Sequence, residues 1–338
     1  MARLARQVTL VLVEEFGPLE VLQRLSDPFW FQAFGCALGF DWHSSGLTTV
    51  VCGALKEGLR ELGPDTGLYV MGGKGKTSRR TPGELLALGD RLGLDPEPLV
   101  YSSRMAAKVD SAGLQDGYQI YHHTFVFTPH AGEGATGAWC VVQQGMNSEL
   151  RLARRYHWLS TALEDFVCEP HAAVCCDRRD DVLNMVAQEA EAAREMSARL
   201  ACERPEKVIG EMERVQRLEL PHRHHLLLSD VDPSRLRKIF LKTYEEQPQG
   251  FEALLGMAGV GPKPVRALAL VSELLYGAPA SFRDPVRYAY AHGGKDGHPY
   301  PVDRDTYDRT IETLKSAVSR ARLGQREQLE AMRRLARF

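Results

Sequence analysis

The sequence predicts an α+β protein that is mostly helical, with a small antiparallel sheet in a mixed N-terminal part and a helical C-terminal part. Most of the 338 residues follow the spacing of amphipathic helices. Residues 67–71 and the alternating stretches 118–129 and 135–147 are instead typical of strands, and the last two flank a glycine-rich turn. We therefore expect the mixed part to cover 1–170 and the helical part to cover 171–338.

The N-terminal part is predicted to begin with helices. In chain order they cover 1–16, 19–25, 48–62, 83–93 and 101–118. Gly17-Pro18 separates the first two, because proline lacks the N–H that a helix interior needs. Thr81-Pro82-Gly83-Glu84 has the pattern of a capping box, which predicts that the fourth helix starts there. After the strands, residues 151–158 concentrate arginines and aromatic side chains within one or two turns.

Residues 251–277 of the C-terminal part are predicted to form a helix-hairpin-helix. Gly256 ends a short first helix, Gly259-Val260-Gly261 turns the chain, and Pro262 starts a second, largely apolar helix. The free backbone N–H groups and positive dipole end at that start suit one phosphate group. Gly259, Val260 and Gly261 are therefore candidate phosphate-binding residues. Further helices are predicted over 180–202, 205–218, 232–244, 303–323 and 325–338.

Composition limits the partners and the compartment. The net charge of −2 argues against an indiscriminate polyanion binder, so any nucleic-acid surface must be a local basic patch. The seven cysteines include no CxxC pair, which indicates reduced intracellular thiols. The sequence shows no signal peptide and no apolar run that could span a bilayer. We expect a cytoplasmic protein with no membrane partner and no obligate protein partner.

The histidines do not follow a metal-binding pattern. His171 lacks the glutamate two residues later that zinc deaminases use, and no CxxC accompanies it. His222, His224 and His225 lie beside Arg223, whose charge would oppose a cation. We therefore expect no metal and no cofactor.

A loop rich in glycine and lysine, 72–78, follows the first predicted strand. Its GKT ending does not make a nucleotide P-loop, because the first glycine of that motif would fall on Val70. Such a loop still lets the backbone approach phosphates closely. Lys74 is therefore a candidate phosphate contact, with a solvated basic loop as the alternative interpretation.

Polar and aromatic side chains near the strand ends and in one loop are candidates for recognising a base. They are His43, Gln143, Gln144, Asn147 and Trp158. Amides can bond base edges and aromatic rings can stack on bases, while Arg155 can neutralise a phosphate. The alternatives are an amide ladder within the sheet and, for the loop around His43, a helix cap at Ser44 or Ser45.

The segment GVGPK at 259–263 resembles the hairpin of helix-hairpin-helix DNA glycosylases. In those enzymes the lysine just after the second glycine attacks the sugar, and an aspartate follows the second helix. Lys263 and Asp284 match these two roles by type. Hairpins of this kind also occur in many non-catalytic DNA-binding proteins, where Lys263 would be one more phosphate contact.

Nearly the full length also resembles a prokaryotic family that is rich in thermophiles and was formerly of unknown function. The stretches that carry this resemblance are RLSDPFWFQAFGCALGFDWHSSG, GGKGKTSRRTP, MAAKVDSAGLQDGYQIYHHTF, VVQQGMN, ARRYHWLS and GVGPKPVRALALVSELLYG. The resemblance implies a DNA glycosylase with AP lyase activity that removes an oxidised pyrimidine such as 5-hydroxycytosine. Members of the family usually carry an extra segment before the helix that here starts at Met1.

A lyase of this kind needs a neutral lysine amine that attacks C1′ of the sugar and forms a Schiff base. Lys263 is expected at a helix N-terminus, where the dipole disfavours an ammonium group. Lys76 and Lys108, both in stretches that carry the resemblance, are its rivals. Asp284 would act as the general acid/base, with Asp41 and Asp110 as alternatives.

Two other functions stay open on the sequence. The first is a non-catalytic DNA-binding protein whose hairpin only holds a phosphate. The second is a metal-dependent nuclease built from Asp41, His43 and the histidine pairs. DNA with a damaged, flipped base is the partner that the first-choice interpretation implies.

Overall fold

A five-stranded antiparallel sheet lies at the centre of the structure, a computed structural model that describes residues 1–40, 46–130, 137–217, 233–288 and 304–336. The strand order is β1-β3-β4-β5-β6, and helices cover both faces. The predicted class, α+β and mostly helical, is confirmed. No helix in the described part of the chain combines the length and the apolar character needed to cross a membrane.

The first half of the chain supplies four of the five strands. Its elements are α1 (Ala2–Ser26), α2 (Pro28–Ala37), α3 (Leu47–Leu59), α4 (Gly63–Thr66), β1 (Tyr69–Lys74), a 3₁₀ helix (Gly75–Arg80), α5 (Thr81–Leu92), α6 (Glu97–Lys108), a π-helical turn (Val109–Gly113), β2 (Leu114–Gln115), β3 (Gln119–Thr128), β4 (Ala138–Asn147) and β5 (Leu152–Leu159), with a second 3₁₀ helix at Ser160–Ala162. The β3–β4 hairpin matches the predicted one, because alternating residues face the two sides of the sheet.

The second half is largely helical. Its elements are β6 (Ala173–Cys175), β7 (Leu183–Asn184), a 3₁₀ helix (Gln188–Ala190), α7 (Glu191–Ala201), α8 (Pro205–Gln216), α9 (Pro233–Glu246), α10 (Phe251–Gly256), α11 (Pro262–Tyr276), α12 (Arg304–Arg320) and α13 (Gln325–Leu335). Two helices therefore flank residues 257–261, which we call the interhelical turn. The helix observed within the predicted range 180–202 starts only at Glu191, because β7 and a 3₁₀ helix precede it.

Three local predictions are wrong. The predicted helix at 101–118 ends at Lys108 and passes through the π-helical turn into β2. Residues 151–158 are a buried strand, β5. Thr81 is not a capping residue: its hydroxyl donates to the carbonyl of Ser78, and the Glu84 carboxylate instead accepts from the N–H of Gly72 at 2.8 Å.

Two hydrophobic clusters lie on opposite faces of the sheet. Phe125 and Val141 pack into the cluster with α5 to α11, whereas Val126 and Val142 pack into the cluster with α1 to α3, α12 and α13. Each cluster combines residues from both halves of the chain, and β6 pairs with β5. The predicted boundary between residues 170 and 171 therefore does not coincide with a division of the core.

Candidate functional site

A basic cleft with a volume of about 640 Å³ lies where β1 ends and β3 begins. Its lining residues are Lys74, Gly75, Lys76, Ser78, Arg79, Gln119, Ile120, Tyr121, Met146 and Ser148. The three cationic side chains are exposed, and the described lining includes no acidic residue. The cleft is therefore the local basic patch that a nearly neutral chain needs in order to bind a polyanion.

The glycines predicted to form the phosphate-approaching loop lie on both sides of Lys74, and Gly75 lines the cleft. Gly72 and Gly73 precede Lys74 in β1 with φ of 82° and 141°, and Gly75 starts the 3₁₀ helix with φ of 61°. L-residues with a side chain rarely adopt these conformations. A Cβ on Gly72 would lie 2.2 Å from the carbonyl oxygen of His123, so β1 can approach β3 this closely only without a side chain there.

Tyr121 forms an aromatic wall of the cleft. Its hydroxyl accepts a hydrogen bond from Nε2 of Gln144 at 2.7 Å, and the Lys74 Nζ atom lies 5.9 Å from the ring centroid. Burial raises the pKa of Tyr121, so the phenol stays protonated at neutral pH and can donate its own hydrogen. Sequence reasoning missed Tyr121 and Gln119 as site residues. The register of β3 shifts between Ile120 and His122, where the strand meets the end of β1, and the sequence pattern does not predict that shift.

The interhelical turn presents backbone N–H groups to the surface. Gly259 has φ of 95° and is exposed, and Gly261 precedes Pro262 at the start of α11. No backbone carbonyl in the described residues accepts from the N–H of Gly259 or Gly261. Lys263 is exposed in the first turn of α11. The predicted phosphate-binding residues Gly259 and Gly261 are thus placed where an anion could reach them, whereas the Val260 side chain is buried.

Gln115 contacts the start of α11, directly after the interhelical turn, and lies four residues before Gln119 of the basic cleft. Its Nε2 atom donates to the carbonyl of Pro262 at 2.9 Å, and its Oε1 atom accepts from Nε of Arg266 at 2.8 Å. Gln119 of the cleft follows four residues later, a span of at most about 13 Å. Gly117, between them, is exposed. The segment that contacts the start of α11 through Gln115 therefore leads within four residues to the cleft at Gln119.

Lys108, a predicted nucleophile, contacts the backbone of the interhelical turn. Its Nζ atom donates to the carbonyls of Met257 at 3.1 Å and Val260 at 2.5 Å. Burial lowers the pKa of Lys108, while both carbonyl contacts favour its ammonium form. Lys108 is therefore bound to the turn, whereas Lys76 and Lys74 face the cleft.

Two predicted base-recognition residues, Gln143 and Trp158, lie in the core and not at the surface. Gln143 accepts from Nδ1 of His123 at 2.8 Å and donates to Asp110. The indole of Trp158 donates to Asp110 at 3.0 Å, and His171 contacts the other oxygen of that carboxylate at 2.5 Å. The prediction that they read a base edge is corrected, because both side chains are fully buried by partners within the protein.

The other three base-recognition candidates, Gln144, Asn147 and His43, do not share one environment. Gln144 is buried but supports the cleft through Tyr121. Asn147, at the end of β4, is half-buried and accepts from the N–H groups of Glu149 and Leu150. His43 lies outside the described residues, as do Asp41 and the three histidines at 222, 224 and 225 on which the nuclease hypothesis rests.

Arg155, a predicted phosphate contact, is instead a core residue. Its guanidinium donates to Oε1 of Gln32 at 3.0 Å and to Nε2 of His157 at 2.7 Å, and it lies 4.6 Å from the ring centroid of Phe31. Burial lowers the pKa of His157 well below its ordinary value, so this ring accepts the hydrogen bond as neutral imidazole. The phosphate assignment is corrected, because Arg155 is 1% exposed.

Asp284 is bound within the fold. Its carboxylate accepts from Arg154 at 2.7 Å and from the N–H groups of Asp180 at 3.0 Å and Val286 at 2.9 Å. None of the contacts among the described residues joins Asp284 to Lys263. The structure therefore does not bring together the lysine and aspartate that the sequence pairs.

Metal-binding groups are not clustered in the part of the chain that the structure describes. No three histidine, cysteine, aspartate or glutamate side chains there are placed to share an ion. All seven cysteines lie within the described ranges, and each is a free thiol.

Fold and cleft define an α+β protein that has a basic cleft at the ends of two strands and a turn between two helices. The chain belongs to the family described as "Protein of unknown function (DUF763)", whose profile matches residues 1–302. No curated protein and no solved structure matches the chain.

Proposed function

We propose that the protein is a DNA glycosylase with AP lyase activity that removes an oxidised pyrimidine resembling 5-hydroxycytosine. The observation that carries this proposal is the lysine-lined basic cleft where β1 ends and β3 begins, and the interhelical turn offers a second candidate DNA contact. We further propose that it acts in the cytoplasm on chromosomal DNA, in keeping with its free thiols.

In this proposal the interhelical turn holds the DNA backbone. The N–H groups of Gly259 and Gly261 bond a phosphate at the positive end of the α11 dipole, and Lys263 adds a charge beside them. In this proposal the turn and the cleft contact the same DNA molecule, the turn through a phosphate and the cleft through the damaged nucleotide.

The cleft receives the extruded nucleotide. Its volume of about 640 Å³ exceeds that of one nucleotide, and Tyr121 offers a ring on which a base can stack. The polar side chains of Gln119 and Ser148 line the same space and can bond a base edge. Lys74 and Arg79 neutralise the phosphates that flank the flipped sugar.

We assign the nucleophile to Lys76. Its neutral amine attacks C1′, a bond from nitrogen to carbon forms, and the glycosidic bond breaks as the base leaves with its electron pair and takes up a proton. Opening of the sugar gives a Schiff base. Loss of a C2′ proton then expels the 3′ phosphate, and water releases the enzyme. Lys263 contacts a phosphate in this assignment, and Lys108 contacts the turn.

Borohydride trapping tests the proposal. Duplex DNA with 5-hydroxycytosine or an abasic site should give a covalent adduct with the wild-type protein and with Lys263→Arg, but not with Lys76→Arg. Lys207→Arg is a matched control, because Lys207 is an exposed lysine that pairs with Glu203 at 2.8 Å. No adduct on either DNA would overturn the enzyme assignment.

A non-catalytic DNA-binding protein is the second candidate. One observation favours it: Asp284, the expected acid/base, is held by Arg154 and by two backbone N–H groups. This candidate predicts DNA binding that depends on Lys74 and Lys263, without adduct formation or strand cleavage. Fluorescence anisotropy beside the trapping assay distinguishes the two.

A further inference from the structure

Two lysine side chains donate hydrogen bonds to backbone carbonyls of the interhelical turn. Lys108, the last residue of α6, donates to the carbonyls of Met257 and Val260. Lys242 of α9 donates to the carbonyl of Ala258 at 3.3 Å. Three of the five carbonyls of the turn therefore accept hydrogen bonds from ammonium groups.

Each of these carbonyls belongs to the same peptide group as the following N–H. The carbonyls of Met257, Ala258 and Val260 share peptide groups with the N–H groups of Ala258, Gly259 and Gly261. In a trans peptide the N–H points away from the C=O. Carbonyls directed towards Lys108 and Lys242 therefore direct the three N–H groups away from those amines, and no described backbone carbonyl accepts from them.

A charged donor on the carbonyl also strengthens the N–H as a donor. Hydrogen bonds to ionised groups are stronger than neutral ones, and hydrogen bonds in series polarise one another. Lys108 is half-buried and donates to the carbonyls of two of the three peptide groups. Lys242 donates to the carbonyl of one, is more exposed and also pairs with Glu246 at 3.4 Å. Lys108 is therefore the main contact.

From this geometry we infer that Lys108 is a positioning residue, which orients and polarises the amide of Gly261, together with that of Ala258, for one DNA phosphate. The inference rests on the proposed function and adds a residue to it. Lys108 does not touch the phosphate, and it is not the nucleophile, since an attack would require its amine to leave both carbonyls.

Salt-dependent DNA binding tests this role. Lys108→Met keeps an apolar stem and removes the donor, whereas Lys108→Arg keeps a charged donor that cannot form a Schiff base. We expect Lys108→Met to weaken binding of a duplex with an abasic-site analogue about tenfold at every salt concentration, with the slope of log K against log salt unchanged. Lys108→Arg should bind within about threefold of wild type and still form the trapped adduct.

Lys263→Met is the matched comparison, because it removes a direct phosphate contact and should reduce that slope by about 0.9. A similar loss of slope in Lys108→Met would make Lys108 a direct contact and overturn the inference. Loss of trapping in Lys108→Arg with binding retained would make Lys108 the nucleophile and overturn it as well.

Hydrogen exchange separates this inference from the proposed function. In Lys108→Met, amides of the 257–261 peptide should exchange faster than in wild type, while Lys108→Arg and amides of β3 and β4 should not change. Unchanged exchange at 257–261 in Lys108→Met would overturn the inference even if DNA binds. Failure of the wild-type protein to bind DNA would instead overturn the proposed function, with the exchange result still deciding whether Lys108 orders the turn.

Discussion

The Nη2 atom of Arg154 lies 2.7 Å from Oδ2 of Asp284, and both side chains of this ion pair are buried. Nη1 of Arg154 also contacts Asp116 at 3.0 Å, and the Tyr156 hydroxyl donates to the same Asp116 oxygen at 2.6 Å. Arg154 therefore joins two carboxylates from distant parts of the chain. Such a pair holds the segment around Asp284 against β5 and is difficult to combine with proton transfer at the cleft.

Asp284→Asn should destabilise the fold more than it changes the chemistry. The change weakens a buried charge-assisted hydrogen bond, which costs about 1.5–3 kcal/mol, while Arg154 keeps its ion pair with Asp116. Urea denaturation should show this loss, and trapping per folded molecule should stay within a few-fold of wild type. A stable variant that has lost trapping would make Asp284 a catalytic residue.

Tyr121 should contribute to nucleotide binding through its ring. Tyr121→Ala should weaken binding of DNA with an unpaired damaged base by about 1–3 kcal/mol, the usual worth of one stacked base. Tyr121→Phe keeps the ring and should lose much less, although it removes the acceptor of Gln144. Anisotropy titrations check both, and equal losses in the two variants would show that the hydroxyl contact matters and the stacking does not.

Gly72→Ala should destabilise the protein by about 3 kcal/mol or more, because Gly72 has φ of 82° and a Cβ would lie 2.2 Å from the His123 carbonyl oxygen. Gly83→Ala is the matched control. Gly83 lies in α5, a Cβ added there would have no neighbour within 4 Å, and alanine should be neutral or stabilise by up to about 1 kcal/mol. Thermal and urea unfolding of both variants measure the difference. Similar stabilities would contradict the close approach of β1 to β3.

Buried histidines should make the fold sensitive to acid. Burial lowers the pKa of His122 to about 3 from an ordinary 6.5, and burial also lowers the pKa of His123. Between these pH values the unfolded chain binds protons that the folded chain does not. The free energy of unfolding therefore falls as pH decreases from 6.5 towards 3, by about 1.4 kcal/mol per pH unit for His122, and the lowered pKa of His123 adds a loss of the same sign.

His122→Asn removes one of these two buried histidines and so measures its share of the pH dependence of the free energy of unfolding. Its free energy of unfolding, measured in urea at several pH values from 7 to 4, should decline less steeply than that of wild type by about one proton's slope. Parallel curves for the two proteins would show that His122 titrates normally in the folded state.

Alternating hydrophobicity was enough to place β3 and β4, because each strand presents one face to each hydrophobic cluster. The same rule missed β5, since its arginines suggested an exposed segment. The buried Arg155 guanidinium donates to Gln32, 123 positions away, and to the carbonyl of Pro28, 127 positions away. Partners this distant in sequence leave no local signal, so polar residues of a buried strand resemble a surface stretch.

The candidate site divides in the same way. Lys74 was found because the glycines around it predict a loop that approaches phosphates, and Lys76 because it lies in a stretch that carries the family resemblance. The structure places both at the cleft. The contacts of Lys108 could not be predicted, because their acceptors lie 149 and 152 positions along the chain. The π-helical turn that follows Lys108 has no sequence signature either, and it directs Asp110 into the core.

The central claim is that an amine in the basic cleft reaches the sugar of an extruded nucleotide while the interhelical turn holds the strand. Its most direct test is mass spectrometry of the borohydride-reduced adduct after proteolysis. We predict a sugar remnant on Lys76, absent from the Lys76→Arg protein. A remnant on a lysine outside the cleft, or no adduct under conditions where DNA is bound, would contradict the account.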